Sequence, residues 1–404
     1  MTSHSQVMIL GGGLAGLSFA IAIACENPDS DIVLLEASAF RSGSPNPLDT
    51  RGSALNLHSV SLLESWGIWS DLRAAAGAIR DIHVSHRGHF GSTVMTASEL
   101  DVSALGYVVE NHELGQRLLA RAAQLGITIR SPVRCNALRT EAGTPAIETE
   151  DGEVITADLV LLAAGVAPDW FDQLGIRVLE RPTPNTAVVF NARFPGQQSG
   201  RAFERFTPNG PLAVLPLPTL NHADQRYNVV WSVSDSTATT LGDLDDEAFR
   251  NHFQDAFGWR LGRVQAVGQR SQWPLMRLSA SEQFRGGFLL VGNAAHTLHP
   301  VAGQGLNLSL REAGLLAHEI AEAQQRSAEI ELDRTDIRAR LSGEIGRSMV
   351  SPGALVTASQ QAPLATVRNI DPVYVDVTQS AAELLDYRRG NMDARIRDGA
   401  AEVR

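Results

Sequence analysis

The chain has 404 residues, 44% of them hydrophobic, and a formal net charge of −11 at pH 7. This length and apolar content are enough for about two to three packed domains. The acidic balance argues against nucleic-acid binding, because neutralising phosphates requires a basic surface. The sequence contains no lysine, which excludes Schiff-base chemistry and a Walker A nucleotide site.

The two cysteines, Cys25 and Cys135, are far apart in the sequence. They form no C-x-x-C or C-x4-C pair, which argues against a dithiol reductase and against a disulfide framework. No apolar window reaches the length of a membrane span, and no signal-peptide pattern precedes the first predicted strand. We therefore expect a cytoplasmic, soluble protein with at most peripheral contact at the inner face of a membrane.

The N-terminus carries a dinucleotide-binding pattern. Gln6 to Leu10 form an apolar, strand-like run, and residues 11–16 read GGGLAG, which contains G-x-G-x-x-G. A helix of small residues follows, and a second strand, Asp31 to Leu35, ends at Glu36. In such folds an acidic residue about 20 positions after the glycines reaches a ribose 2′-hydroxyl. The pattern predicts a site for the adenosine half of FAD or NAD.

Further along, Arg51 follows a loop rich in Ser, Pro, Gly and Asn. It is either a solvated loop charge or, if the loop folds back over the cofactor, a partner for the pyrophosphate. Asp81 to Met95 alternates as paired strands do and carries His83, His86 and His89. Their spacing alternates between faces of a strand, and no Cys or carboxylate cluster accompanies them. Surface or pocket-lining histidines are therefore favoured over metal ligands.

The middle of the chain is rich in β-structure. Asp158 to Gly165 is a continuous apolar run, typical of a buried parallel strand, that would close the dinucleotide-binding sheet. Beyond it we expect a mostly antiparallel sheet and a helix near Asp245 to Phe257. The predicted strands are Thr186 to Phe194, Arg201 to Phe206, Leu212 to Leu217 and Tyr227 to Val233.

Residues 286–313, GGFLLVGNAAHTLHPVAGQGLNLSLREA, predict a strand, a turn and the start of a helix. A helix start presents unpaired backbone NH groups and the positive end of the macrodipole. It is suited to an anionic or carbonyl-rich ligand, although an ordinary tight loop would fit the pattern about as well. We expect the substrate pocket near the His299-Pro300 bend, Trp231 and Phe206, while core packing explains these two aromatic residues equally well.

Taken together, ILGGGLAGLSFAIA, Glu36, Arg51, VVENHELGQRLL and VGNAAHTLHPVAGQGLNLSLREA resemble the class A flavoprotein aromatic monooxygenases. Within that class the chain is most similar to the ubiquinone-biosynthesis hydroxylases of the 2-octaprenyl-6-methoxyphenol hydroxylase type. HVSHRGHFG at 83–91, GRAFERFTPNGPLAVLPLP at 200–218 and AFGWRLG at 256–262 carry that similarity. The resemblance runs from Gln6 to Ala323.

The resemblance implies an α/β fold of the para-hydroxybenzoate hydroxylase type. A Rossmann-type FAD-binding domain would receive an inserted, mostly antiparallel β-sheet domain for the substrate. We expect the discontinuous FAD-binding domain at 1–80, 101–180 and 275–325, and the substrate-binding β domain at 81–100 and 181–274. The remaining residues, 326–404, would form a C-terminal tail that is partly helical.

The resemblance also implies the cofactor site. The glycine loop would hold the FAD pyrophosphate, Glu36 the adenosine ribose, and Asn293 would stand where most relatives carry a ribityl-binding Asp. The predicted FAD-binding set is Gly11, Gly13, Leu14, Ala15, Gly16, Glu36, Arg51, Gln116, Gly292, Asn293, Pro300, Gly303, Gly305, Leu306 and Asn307. No catalytic base is identified from the sequence and no metal is expected. Ala164 departs from the family, which has at this position an Asp thought to serve both FAD and NAD(P)H.

The implied reaction is FAD- and NAD(P)H-dependent hydroxylation of a prenylated phenol in ubiquinone biosynthesis, with O2 activated as a flavin C4a-hydroperoxide. The expected partners are O2, the prenylated aromatic substrate and other ubiquinone-biosynthesis proteins. Two alternatives stay open. One is a hydroxylase of a small soluble aromatic such as a salicylate-like acid, and the other, motivated by Ala164, is a weakly catalytic flavoprotein subunit of a quinone-biosynthesis assembly.

Overall fold

The computed structural model describes residues 3–40, 46, 48, 50–166, 168–196, 199–218, 224–297, 303–335, 342–351, 353–354 and 363–368. The chain divides into two compact units, Met1–Arg326 and Ser327–Arg404. The described part of the first unit contains an eight-stranded sheet, a nine-stranded sheet and a small three-stranded sheet.

The eight-stranded sheet has a parallel centre and an antiparallel extension on one side. Its strands are β1 (Ser3–Leu10), β2 (Ile32–Leu35), β8 (Thr128–Arg130), β9 (Cys135–Glu141), β10 (Thr144–Thr149), β11 (Val154–Leu162), β18 (Phe284–Arg285) and β19 (Phe288–Leu290). The order is β18-β19-β11-β1-β2-β8, with β10 beside β11 and β9 beside β10. The predicted parallel strands, including the one that closes the dinucleotide-binding sheet, are confirmed.

Both faces of this sheet are covered, which explains the unbroken apolar runs of its central strands. Val7 and Ile9 of β1 pack into one core cluster, whereas Met8 and Leu10 pack into another on the opposite face. The helices of this unit that enter the two clusters are α1 (Leu14–Glu26), α2 (Leu57–Ser65), α3 (Trp69–Leu72), α4 (Asn111–Gln124), α5 (Pro168–Leu174) and α8 (Gln304–Thr335).

The three-stranded sheet connects the two larger ones. It consists of β3 (Gly52–Leu55), β4 (Ala76–Ile79) and β7 (Gly106–Glu110), in the antiparallel order β3-β7-β4. Asn56 follows β3 and caps α2, because its side-chain oxygen accepts a 2.8 Å hydrogen bond from the Ser59 backbone NH. Short 3-10 turns lie at Arg73–Ala75, Ala97–Leu100 and Gly292–Ala294.

The nine-stranded sheet is antiparallel except for one pair, β5 with β13. Its strands are β5 (Asp81–His86), β6 (Ser92–Thr96), β12 (Val178–Pro195), β13 (Arg201–Thr207), β14 (Gly210–Pro216), β15 (Asp224–Ser234), β16 (Ala266–Val267), β17 (Ser271–Ala280) and β20 (His296–Thr297). The order is β20-β17-β12-β15-β14-β13-β5-β6, with β16 beside β12. The predicted mostly antiparallel sheet and its four named strands are confirmed.

One face of the nine-stranded sheet is covered by α6 (Asp235–Asp243) and α7 (Asp246–Phe257). Aromatic side chains fill the space between them, and Phe190 of β12 makes edge contacts with Phe249 and Phe253 at 4.9 and 5.0 Å between ring centroids. Because side chains alternate along a strand, the residues before and after Phe190 in β12 point to the opposite face of the sheet. That second face forms one wall of the cavity described below.

The second unit contains the end of α8 and, among its described residues, one antiparallel pair of strands. The pair is β21 (Glu344–Ile345) with β22 (Val367–Arg368). Across the described residues of both units, no helix has the length and hydrophobicity that a bilayer crossing requires. The predicted division of the chain into an FAD-binding and a substrate-binding domain stays a prediction.

Candidate functional site

A cavity of about 1090 Å³ lies between the carboxyl ends of the parallel strands and the free face of the nine-stranded sheet. Gly11 follows β1, Glu36 follows β2 and Ala163 follows β11, and all three line the cavity. Ligands of open parallel sheets bind outside the carboxyl ends of the strands. The volume lies at the upper end of the ~300–1,000 Å³ typical of small-ligand pockets, which leaves room for a large ligand.

The glycine loop after β1 is shaped by two close backbone approaches. A Cβ added at Gly16 would lie 1.9 Å from the Gly11 carbonyl oxygen, and one added at Gly11 would lie 2.6 Å from the Ala164 nitrogen. A Cβ at Gly13 would meet nothing within 4 Å, and Gly13 lines the cavity. Gly13 also precedes α1 without a side-chain cap, so the first NH groups of α1 are available to an anion. This cradle fits a dinucleotide pyrophosphate.

Glu36 is held in place by backbone donors. One carboxylate oxygen accepts a 2.6 Å hydrogen bond from the Gly12 NH, and the other accepts a 2.9 Å bond from the Ser38 NH. The carboxylate therefore stays beside the glycine loop at the end of β2, where it lines the cavity. Its remaining lone pairs can accept hydrogen bonds from ribose hydroxyls.

Arg51 lies at the edge of the cavity, where its guanidinium carbon is 5.0 Å from the centre of the Trp273 ring. Its carbonyl oxygen accepts a 2.8 Å hydrogen bond from the Asn111 NH. Arg51 and Trp273 both line the cavity. A guanidinium group stacked on an aromatic ring keeps its charge available to an anionic ligand. Arg51 thus brings a positive charge to the cofactor side of the site.

The start of α8 reaches the cavity through Gly303, Gly305 and Leu306. Asn307 is one residue further and is 5% exposed. Its side-chain oxygen accepts hydrogen bonds from the Asn56 NH at 3.0 Å and the Ser59 hydroxyl at 2.7 Å. Its amide nitrogen donates to Ala54 at 2.8 Å. Asn307 therefore joins α8 to β3 and α2, and its side chain does not line the cavity.

The structure brings ten of the predicted FAD-binding residues to the cavity wall, namely Gly11, Gly13, Leu14, Ala15, Glu36, Arg51, Asn293, Gly303, Gly305 and Leu306. Gly16, Gly292, Gln116 and Asn307 lie outside the lining. Gly16 packs beneath the loop, Gly292 is buried with φ 57°, and Gln116 lies on the exposed side of α4, 3.0 Å from the His112 ring nitrogen. Pro300, like His299, falls outside the described residues.

Trp231 itself is a core residue, which is the alternative that the sequence left open, and the cavity lies beside it. Trp231 is 3% exposed and belongs to the core cluster beneath α6 and α7, whereas its neighbour Val230 lines the cavity. A shift of one residue along a strand exchanges the two faces. Phe206 is 41% exposed and also lies outside the lining.

The sequence reading missed several lining residues. On the cofactor side they include Ser53, Asn111, Val133, Cys135 and Trp170. On the nine-stranded sheet they include Ile82, Val84, Met95, Ala187, Val189, Ala202, Glu204, Ala213, Leu215 and Trp273. Strand alternation alone could have marked many of the second group, since they share one face of consecutive strands. No pattern in the sequence brings Cys135 or Trp170 to the site.

Two lining residues have perturbed acidities. Burial raises the pKa of the Glu204 carboxyl to about 7. Burial also raises the pKa of the Cys135 thiol to about 11, against a smaller opposing effect of the Ala137 backbone, so this thiol is protonated and unreactive at neutral pH. Among the described residues, no group of three or more His, Cys, Asp or Glu side chains is placed to hold a metal ion.

The fold and the site define an FAD-dependent monooxygenase. The same fold is found in PqsL from Pseudomonas aeruginosa, solved in complex with 2-aminobenzoylacetate. That structure matches with a TM-score of 0.66 and 20% identity, over 81% of this chain and 88% of the other. The chain belongs to the FAD binding domain family, whose sequence profile matches residues 4–342.

Two relatives of known name indicate a more specific class within this family. Ubiquinone hydroxylase UbiL from Rhodospirillum rubrum is 32% identical over 80% of this chain and 73% of its own length. The 3-demethoxyubiquinol 3-hydroxylase from Escherichia coli is 30% identical over 79% of this chain and 80% of its own length. The predicted resemblance to the ubiquinone-biosynthesis hydroxylases is thereby confirmed.

Proposed function

We propose that the protein hydroxylates the ring of a prenylated phenol in ubiquinone biosynthesis. The observation that carries the proposal is the wall of the cavity opposite the glycine loop, which is almost entirely apolar. It consists of Ile82, Val84, Met95, Ala213, Leu215 and Val230, among others. Such a wall suits a ring with a hydrocarbon chain, and the names of the relatives are those of ubiquinone hydroxylases.

FAD would occupy the side of the cavity formed by the glycine loop, Glu36, Arg51, Asn293 and the start of α8 at Gly303, Gly305 and Leu306. When bound, it supplies the activation of O2 that ring hydroxylation requires. The protein positions the ring between this side and the nine-stranded sheet, and the apolar wall keeps water away from the reacting atoms. We assign the β strands of 81–100 and 181–274 to the substrate and the rest of 1–325 to the cofactor.

The electron donor typical of the family is NAD(P)H. Ala164 lines the cavity directly beside Gly11, at the end of β11, and presents only a methyl group where the resemblance leads one to expect a carboxylate. We propose that NAD(P)H reduces the bound flavin in spite of this difference. A protein that is reduced only by another protein would instead favour a subunit role in a quinone-biosynthesis assembly.

The test uses the full-length protein loaded with FAD. Anaerobic mixing with NADPH or NADH, with and without a short-chain prenylated 2-methoxyphenol, measures bleaching of the flavin absorbance. Admission of O2 then allows the hydroxylated phenol to be identified by mass spectrometry. We expect faster bleaching in the presence of the phenol and one added oxygen in the product. Turnover of 2-hydroxybenzoate without turnover of the prenylated phenol would contradict the proposal.

We propose that the protein meets a membrane through an exposed rim beside the nine-stranded sheet, formed by Arg87, Phe90, Trp259 and Arg260 together with the half-buried Arg205. Phe90 is fully exposed and Trp259 is 68% exposed. Burial and then the positive charges of Arg260 and Arg87 lower the pKa of Arg205, so these guanidinium groups lie within electrostatic reach of one another. Clustered arginines beside exposed aromatic side chains suit an anionic lipid surface, although the chain as a whole is acidic.

Sedimentation with vesicles tests this contact. We expect binding to vesicles that contain phosphatidylglycerol, weaker binding to pure phosphatidylcholine, and loss of binding in the double variant Phe90→Ser, Trp259→Ser. Phe284→Ser is the matched control, because Phe284 is 56% exposed on the eight-stranded sheet instead. Equal loss in the control would show that the rim has no special role.

A further inference from the structure

Glu204 is an acidic residue in an otherwise apolar wall. It lies in β13, paired with Ala213 of β14 on one side and with Val84 of β5 on the other. Of the described residues of the nine-stranded sheet that line the cavity, Glu204 alone is ionisable. Its sequence neighbour Phe203 packs on the helix-covered face, 5.4 Å from Phe257 between ring centroids. Val84 and Ala213, which are paired with Glu204 across the sheet, line the cavity, so the Glu204 side chain shares their face.

The Glu204 carboxyl has no protein partner for its inner oxygen. Oε1 is buried and, among the described residues, accepts no hydrogen bond. A buried polar atom without a protein partner is rare in folded proteins and calls for a water molecule, an ion or a ligand as its partner. Glu204 itself lines the cavity, so a ligand in the cavity can reach its carboxyl group.

The charged groups around Glu204 are engaged elsewhere. Arg201 binds Asp81 at 2.9 Å, Arg205 donates to the Ala256 carbonyl at 3.0 Å, and both follow the opposite alternation of β13. His83 of β5 lies against Phe203 on that same opposite face. The side chains packed beside Glu204 from β5 and β14 are Val84 and Ala213, neither of which titrates.

Arg51 carries the positive charge among the described lining residues, and it lies far from Glu204. It stacks on Trp273 of β17, which is four strands away from β13 in the sheet order. At a spacing of about 4.8 Å per strand, this separation is about 19 Å. The Glu204 carboxyl therefore faces the substrate region without a cation of the described lining residues beside it.

We propose that Glu204 binds the ring hydroxyl of the substrate, takes its proton, and excludes aromatic carboxylates from the site. The inference rests on the proposed function. The phenolic O–H bond breaks, the proton moves to a Glu204 oxygen, and the electron pair stays on the ring oxygen. That charge enriches the ortho and para carbons in electrons and so activates them toward hydroxylation. The proton returns to the ring oxygen when the product forms.

The acidity of the Glu204 carboxyl suits both the transfer of the phenol proton and the exclusion of aromatic carboxylates. A general base works best with a pKa near the working pH, and burial brings the pKa of Glu204 to about 7. A carboxylated aromatic would bring a second negative charge beside Glu204 in an apolar wall, and two carboxylates in one such site cannot both stay ionised without cost. A neutral phenol meets no such repulsion.

The experiment compares the FAD-loaded wild type with Glu204→Gln, which has the same shape but cannot accept a proton at neutral pH. The probes are a short-chain prenylated 2-methoxyphenol, its methyl ether and 2-hydroxybenzoate. Binding is followed by the change in flavin absorbance. Product yield is measured in one turnover, after photoreduction of the flavin and admission of O2, so no nucleotide donor is needed. Glu180→Gln is the matched control, because Glu180 is an exposed carboxylate of β12 outside the cavity.

We expect the wild type to bind the phenol at least tenfold more tightly than its methyl ether or 2-hydroxybenzoate. In Glu204→Gln the preference over 2-hydroxybenzoate should fall at least tenfold, and the product per reduced flavin should fall at least tenfold with release of hydrogen peroxide. The yield of the wild type should rise with pH through about 7, and that of Glu204→Gln should not. Glu180→Gln should match the wild type throughout.

Unchanged preference, yield and pH profile in Glu204→Gln would overturn the inference. If that variant does not fold, equal binding of the phenol and its methyl ether by the wild type overturns it instead. A wild type that forms no product yet prefers the phenol through Glu204 would disprove the proposed hydroxylation and leave the binding role intact.

Discussion

Arg226 and Glu110 form an ion pair inside the protein, with 3.0 Å between the guanidinium nitrogen Nη2 and the carboxylate oxygen Oε1 and with side chains only 5% and 13% exposed. Arg226 belongs to β15 of the nine-stranded sheet, and Glu110 ends β7 of the three-stranded sheet. Glu110 also accepts a hydrogen bond from the Thr50 hydroxyl, and Asn191 of β12 donates to the Thr50 carbonyl at 2.8 Å. This network fixes the residue before Arg51 to the substrate wall.

Arg226→Met should destabilise the protein by about 3–5 kcal/mol, because it leaves the Glu110 carboxylate buried without its cation. Arg226→Met combined with Glu110→Leu should recover most of that loss, since no charge then stays buried. Urea unfolding followed by circular dichroism measures both. Glu322→Gln serves as control, because its partner Arg326 and Glu322 itself are 60% and 46% exposed; breaking this exposed pair should cost less than about 1 kcal/mol. Similar losses in all three variants would contradict the buried-pair account.

Asn307→Ala should destabilise the protein even without FAD. The substitution removes the acceptor of the Asn56 NH and the Ser59 hydroxyl and the donor to Ala54, at a cost of about 3 kcal/mol. The measurement is urea unfolding of the apoprotein. Asn251→Ala is the control, since Asn251 is exposed on α7 and such changes stay within about 0.5 kcal/mol. A variant whose apoprotein is as stable as the wild type, but which binds FAD poorly, would show that Asn307 is a cofactor ligand.

Gly13→Ala should weaken FAD binding, whereas Gly16→Ala should lower the stability of the protein. The added methyl group at Gly13 meets no protein atom within 4 Å, so the apoprotein should keep its stability. It should bind FAD at least about tenfold more weakly, or about 1.4 kcal/mol, because the methyl group enters the space left for the pyrophosphate. At Gly16 the methyl group collides with the Gly11 carbonyl, which should cost about 3 kcal/mol of stability. Fluorescence titration with FAD and thermal unfolding separate the two. Normal FAD affinity in Gly13→Ala would place the pyrophosphate elsewhere.

The parts of the fold that follow local rules were predictable. The run from Gln6 to Leu10 and the run that ends at Gly165 are apolar without interruption, which is typical of buried parallel strands, and both lie in the centre of the eight-stranded sheet. The glycine loop and Glu36 were found because their spacing along the chain reflects their contact in space. The Gly12 NH indeed reaches the Glu36 carboxylate.

The substrate wall was harder to predict, because its residues come from strands far apart in the sequence. Val84 and Glu204 are neighbours only through the parallel pairing of β5 with β13, for which no local pattern exists. The choice between Trp231 and Val230 depends on which face of β15 the helices cover, and a single strand does not specify that. The resemblance places Asn307 among the FAD-binding residues, whereas its side chain is buried and hydrogen-bonded to Asn56 and Ser59.

The contribution of Glu204 to the stability of the protein should fall as pH rises through the titration of its carboxyl. The pKa of this carboxyl is raised from an unfolded value of 4.5 to about 7, so between these values the folded protein binds more protons than the unfolded chain. Stability then decreases with increasing pH. The decrease is at most about 3 kcal/mol between pH 4.5 and 8, and the partial exposure of the carboxyl makes it smaller.

Glu204→Gln lacks this titration, so its stability relative to the wild type should increase over the same window. Urea unfolding at pH 5 and pH 8 measures the difference, with Glu180→Gln expected to follow the wild type. A constant gap between the wild type and Glu204→Gln at both pH values would show that Glu204 titrates as an ordinary exposed carboxyl.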